Sequence, residues 1–187
     1  CVSLPTVSAQ AATPTPTPTL TPAIPTASPA PVSNTSSWPI QAMPVFGPSS
    51  GILAALDNEL IDYVPAKVNL KDFITEVVFA NPAPTDQGWD FGFLVHDQGT
   101  EFYTIAVNSN LEWNVILTLD SSTTSLASGT LTNFDSSEGG SNRLGLIVAG
   151  NFALLYLNDQ FVATLDLSQL PDAGDVSIAS GFGQEYD

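Results

Sequence analysis

The residue types that drive most protein chemistry are scarce in this chain. One Cys, one His and three Lys+Arg stand against 19 Asp+Glu in 187 residues. A serine nucleophile needs a base and an orienting acid. Gly47-Pro48-Ser49-Ser50-Gly51 matches the bare G-x-S-x-G string. That string works on a strand-to-helix elbow, and here a Pro interrupts it. The one available base, His96, lies between Val95 and Asp97 on the parity opposite Trp89 and Phe91. That parity predicts a surface or edge histidine.

Glycoside hydrolysis needs two carboxylates roughly 5–10 Å apart. Asp57 and Glu59 at period two, with Glu101 and Glu112 near turns, are the candidates, and no E-x-D-x-E string accompanies them. Calcium needs several clustered oxygens. Asp166, Asp172 and Asp175 around the 167–174 loop, and Asp135 with Glu138, read as solvated acidic loops. One Cys and one His cannot build a Cys/His zinc site. No metal, cofactor or catalytic residue is assigned. A sugar site would show aromatic platforms beside amides and acids. Trp89 and Trp113 share the parity of core residues, whereas Phe102 is expected to face outward. Arg143 has no basic neighbour in sequence, so it is expected to pair with a carboxylate on a sheet face.

The elements that must position these residues follow from charge and periodicity. The net charge of −16 excludes nucleic acid, whose phosphates need Lys and Arg, and disfavours an anionic membrane surface. No apolar run is long enough for a membrane helix. Residues 1–56 carry no charged side chain, and eleven of the 15 prolines precede residue 50. The core of that stretch is Thr13-Pro14-Thr15-Pro16-Thr17-Pro18-Thr19. Each Pro fixes φ and holds its predecessor extended, which predicts a polyproline II spacer. Thr13, Thr15, Thr17 and Thr19 are O-glycosylation candidates, and Asn34-Thr35-Ser36 fits the N-glycosylation pattern.

Cys1 precedes small and polar residues and then the Pro/Thr stretch, as in bacterial lipoproteins. It is expected to carry a lipid or to form an intermolecular disulfide. Either places the protein outside the cytoplasm, and membrane contact would come only through that lipid. Trp38, Ile40, Met43, Val45 and Phe46 end the tail with large apolar side chains. They are expected to form either a first edge strand or a strand donated to a neighbouring subunit.

From about residue 51 the period is two, the strand signature. Trp89, Phe91, Phe93 and Val95 alternate, as do Tyr103, Ile105 and Val107, and Trp113, Val115, Leu117 and Leu119. Leu144, Leu146 and Val148 form another run, and Phe152, Leu154 and Tyr156 the next. Phe161, Ala163, Leu165 and Leu167 follow. Gly150-Asn151 and Asn158-Asp159 are tight hairpin turns. About ten short antiparallel strands with hairpin connections predict an all-β sandwich or barrel.

Gly88-Trp89-Asp90-Phe91-Gly92-Phe93-Leu94 with Phe102-Tyr103-Thr104-Ile105 resembles the concanavalin-A-like/laminin-G-like jelly-roll superfamily. So do Ser141–Val148 and Phe152–Ala163. In particular they resemble accessory surface domains of filamentous, Chloroflexota-like bacteria. The resemblance implies a jelly-roll over about residues 46–182, with structural rather than catalytic motifs. It also implies one further strand after Ala179-Ser180-Gly181-Phe182. Without that strand the sheet edge is open, unless the N-terminal region supplies one. The expected organisation is a tail, 1–45, and a β-sandwich domain, 46–187. The expected function is a non-enzymatic extracellular structural protein, self-assembling through its tail into a surface filament or layer. The alternative is a lipoprotein-anchored, lectin-like module with glycan partners; an enzyme of the same fold ranks third.

Overall fold

A computed structural model of the chain describes residues 44–53, 61–81 and 88–182. Among the described residues ten strands form: β1 Asp62–Pro65, β2 Phe73–Ala80, β3 Asp90–Asp97, β4 Glu101–Asn108 and β5 Glu112–Leu119. They continue with β6 Ser122–Thr130, β7 Ser141–Ala149, β8 Phe152–Leu157, β9 Gln160–Asp166 and β10 Asp175–Ser180. Every pairing is antiparallel. One sheet has six strands in the order β1-β10-β3-β4-β5-β6, and the other has four, β2-β7-β8-β9. The architecture is an all-β antiparallel sandwich.

The core lies between the sheets because the alternating apolar residues face each other there. Phe91, Phe93, Val95, Tyr103, Ile105, Val107, Val115 and Leu117 meet Leu144, Leu146, Val148, Ala153, Leu155, Leu157 and Leu165, all 2% exposed or less. Each such aliphatic or Phe side chain stabilises the fold by about 1.5–3 kcal/mol relative to exposure. Trp89 and Trp113 pack against this core, as their parity predicts. Trp89 and Phe134 stack around Phe91 at one end, with ring centroids 5.9 and 6.0 Å from it.

Two turns have the chemistry their residues predict. Gly150 has φ +63°, and Asn158 and Asp159 have φ +49° and +65°. Positive φ at both central positions of the Asn158–Asp159 turn, and at the first of the Gly150–Asn151 turn, gives each the twist of the strands it joins. The edge of β10 is closed by β1, with Asp62 opposite Ser180 and Val64 opposite Ile178. The chain's own N-terminal side therefore supplies the strand that the resemblance left open. Of the expected first strand at residues 38–46, only residues 44–46 are described. Val45 and Phe46 belong to no strand and are 67% and 51% exposed; Trp38, Ile40 and Met43 lie outside the described residues.

His96 is a correction. It is fully buried rather than on the surface. Pairing shifts register there: Val176 faces Val95 but Asp175 faces Asp97, which leaves His96 as the extra residue. A bulge reverses side-chain direction, and φ +53° completes it. The ring lies edge-on to Phe73 and Tyr103. Its Nδ1 is 2.9 Å from Leu170 O and its Nε2 is 3.2 Å from Lys71 O.

Candidate functional site

Directly paired residues share a face, so the two outer faces can be mapped strand by strand. On the six-stranded sheet, Ala179, Gly92, Ala106, Asn114 and Ser128 form one row, and Ser177, Leu94, Thr104 and Ile116 the next. The centre of this face is closed to solvent: Leu94, Thr104, Ala106, Ser177 and Ala179 are 5% exposed or less. Asp90, Asn108 and Glu112 line one border. Asp90 is occupied, since its Oδ1 accepts the Gly181 and Phe182 amides at 2.7 and 3.0 Å. Phe102 does face outward, opposite Thr118, but is half-buried.

The outer face of the four-stranded sheet is different. Glu76, Gly145, Tyr156 and Phe161 form a row across it, and Ile74, Ile147, Leu154 and Thr164 another. Asp166, Phe152 and Ala149 form a third. Phe152 and Phe161 are each 58% exposed and Val78 is 55% exposed. Tyr156 and Phe161 meet edge to face at 5.8 Å between centroids. Gly145 leaves a shallow notch between Glu76 and Tyr156, because a Cβ there would only touch Tyr156 Cβ at 3.7 Å.

Arg143 stands over this notch. Its Nη1 is 3.0 Å from Glu76 Oε1, and its Nε is 4.0 Å from Asp159 Oδ1. The expected partnership with a sheet-face carboxylate is thus present, in an exposed pair whose strength is modest. What fixes the arrangement lies beneath. Arg143 N donates to Asn158 Oδ1, and Asn158 N donates to Arg143 O, both at 2.8 Å. Asn158 Nδ2 donates to Asn133 O at 2.7 Å and to Asn142 Oδ1 at 3.0 Å. Asn142 Nδ2 donates to Asn81 Oδ1 and to Asp135 O. Asn133 Nδ2 donates to Leu157 O. This amide network ties the Asn158–Asp159 turn to the 131–140 loop and so presents Asp159 to Arg143.

The other sequence candidates do not converge. The G-x-S-x-G string lies in an exposed stretch, while both nitrogens of His96 face carbonyls in the interior. Asp175 accepts the Lys67 and Val68 amides at 3.1 and 2.9 Å. Hydrogen bonds from the side chain and amide of Ser137 hold the Asp135 carboxyl below the usual carboxylate range, and Ser168 does the same for Asp166. Among the described residues no group of three or more His, Cys, Asp or Glu could hold a metal. Asp57 and Glu59, Cys1, and Thr13, Thr15, Thr17 and Thr19 lie outside the described residues.

Alternation alone groups Phe152, Leu154 and Tyr156 as an apolar run, but their parity is the outward one. Turn logic could have found this. Val148 is core, so Ala149 faces out, and a two-residue turn pairs Ala149 with Phe152. A second bulge, between Leu155 and Tyr156, puts Phe161 outward beside Tyr156 while Ala163 and Leu165 face in.

No protein-family model and no curated protein sequence matches the chain. Among solved structures it is similar to a carbohydrate-binding module from Bacillus subtilis, at 12% identity and TM-score 0.54, over 70% of this chain and 83% of that one. Sheep galectin-11 matches at 12% identity and TM-score 0.48, over 68% and 93% of the two chains. A Bacillus licheniformis β-glucanase matches at 15% and 0.46, over 64% and 56%. At these identities the likeness is one of fold, and the fold is the antiparallel jelly-roll sandwich.

Proposed function

We propose that this domain is a non-catalytic, extracellular carbohydrate-binding module that uses the outer face of its four-stranded sheet. The observation that carries the reading is the platform itself: Phe152 and Phe161 exposed, with half-buried Tyr156 between them, beside Arg143, Glu76 and Asp159. Aromatic faces take the apolar faces of sugar rings, and a few charged side chains fix the hydroxyls, the usual division of labour in a ligand site. An exposed apolar patch on a soluble sandwich marks an interaction surface. The fold is also one used by a carbohydrate-binding module. Residues 1–45 would serve as a tether, 46–187 as the sandwich domain, and Cys1 as the lipid anchor or intermolecular disulfide.

A glycan array on the full chain, followed by titration calorimetry, tests this. Phe161→Ala should weaken the best glycan about tenfold or more, roughly the loss expected from an aromatic anchor. Unchanged affinity in both Phe161→Ala and Tyr156→Ala would sink the assignment of the face.

The second reading is a self-assembling surface subunit. The exposed apolar side chains Ile74, Val78, Val45 and Phe46 favour it, because association would cover them. Sedimentation at high concentration decides: a single monomer species removes that reading.

A further inference from the structure

The rim of the aromatic platform has a charge that selects among sugars. At one end Phe152 is paired with Asp166, and Asp72 lies across the same end, where its Oδ1 accepts the Gly150 amide at 2.6 Å. At the other end Glu76 and Asp159 flank Arg143 beside Tyr156 and Phe161. The face therefore carries four carboxylates against one guanidinium: Glu76 and Asp159 pair with Arg143 at one end, and Asp166 and Asp72 stand at the other. Hydrogen bonds from the side chain and amide of Ser168 favour the charged form of Asp166 and lower its pKa. The chain's net charge of −16 adds a field of the same sign, which raises the local concentration of cations and repels anions. Phe152 and Tyr156 lie four residues apart on β8, about 13 Å along the strand, a spacing that suits a short oligosaccharide rather than one ring.

Granting that this face binds glycans, we propose that its ligand is a short amine-bearing oligosaccharide of the glucosaminyl type. The ring faces lie on Phe152, Tyr156 and Phe161, and the ammonium groups are received by Asp166 at one end and by Asp159 and Glu76 at the other. Uronate and sulfated sugars are rejected, because four carboxylates against one guanidinium leave the face net negative.

The test is titration calorimetry of the full chain with three probes: a free-amine glucosamine tetramer, its fully N-acetylated counterpart and a galacturonate tetramer. At low salt the free-amine tetramer should bind about tenfold or more tighter than the acetylated one. That advantage should collapse in about 0.5 M salt, where exposed charges are screened. Galacturonate should not bind. Asp159→Asn with Asp166→Asn should bring the ratio of the first two affinities toward one. Equal, salt-independent binding of the free-amine and acetylated tetramers would overturn the charge selection and leave the glycan reading standing. No binding of any tetramer would overturn this ligand class, and an empty glycan array as well would overturn the glycan reading. A lysine-rich peptide that binds as tightly as the free-amine tetramer, or a dimer that buries Phe161, would also overturn it.

Discussion

Asn142→Ala should destabilise the sandwich far more than the loss of one polar side chain suggests. Asn142 is fully buried at the end of the core. Its Nδ2 donates to Asn81 Oδ1 at 3.1 Å and to Asp135 O at 2.8 Å, and its Oδ1 accepts from Asp135 N at 2.8 Å and from Asn158 Nδ2 at 3.0 Å. After truncation, Asp135 O still accepts from Asn81 Nδ2, and Asn158 Nδ2 still donates to Asn133 O. Asp135 N and Asn81 Oδ1 have no partner left. At about 1–3 kcal/mol for each stranded group, the expected cost is about 3 kcal/mol. For a domain of this size that is a drop of about 10 °C in Tm. Urea and thermal melts followed by Trp fluorescence measure it. Because Asn142 and Asn158 share a bond, the double variant Asn142→Ala/Asn158→Ala should cost less than the sum of the two singles. A single-variant cost below about 1 kcal/mol, or strict additivity, would refute the network argument.

Three other outcomes follow from the geometry. Burial pushes the Tyr103 hydroxyl pKa up; stability from the protonated form is complete below the unfolded value near pH 10 and is lost as pH rises past it. Alkaline unfolding should therefore be steep, and Tyr103→Phe should flatten it while costing about 1 kcal/mol at neutral pH through loss of the bond from Leu170 N, as read by melts across pH 8–12. A Cβ at Gly92 would run into the backbone of Ile105 and Ala106, whereas one at Gly145 meets only ordinary contact; Gly92→Ala should cost at least about 2 kcal/mol and Gly145→Ala less than about 0.5, measured by urea melts. His96→Phe, a somewhat larger ring, should release the carbonyls of Leu170 and Lys71, so hydrogen exchange and limited proteolysis should accelerate in the 167–174 loop, and unchanged protection there would refute the clamp.

Much of the sandwich was legible because most strands bury one face, and burial writes period two into the sequence. Where burial does not dictate composition, the signal fades. β6 reads Ser-Thr-Thr-Ser-Leu-Ala-Ser-Gly-Thr, and it is largely exposed, so no alternation marks it. β8 is apolar on both parities because one side faces the core and the other forms the platform. His96 and Phe161 defeated parity for a different reason: each sits at a bulge, and a bulge is a property of two strands that neither sequence shows alone. The amide network draws on the residue after β2, on β7, a turn and a loop, so its members are scattered Asn residues until the topology gathers them. Arg143 was the exception. In a chain this acidic, a lone base on a strand could be assigned a carboxylate partner without knowing which one.

The pairing of β1 with β10 also governs when the domain can fold. Asp62 and Ser180 are neighbours in the sheet, yet nearly the whole domain separates them in the chain. Among the described strands β1 is made first and β10 last, so the six-stranded sheet is complete only once Ser180 has been made. Until then β1 is an unpaired strand, and closing so long a loop is slow. A partly made or truncated chain would expose the free edge of β10, or lack it. The seam between β1 and β10 thus joins the earliest and latest of the described strands, and it is the step that completes their sheet.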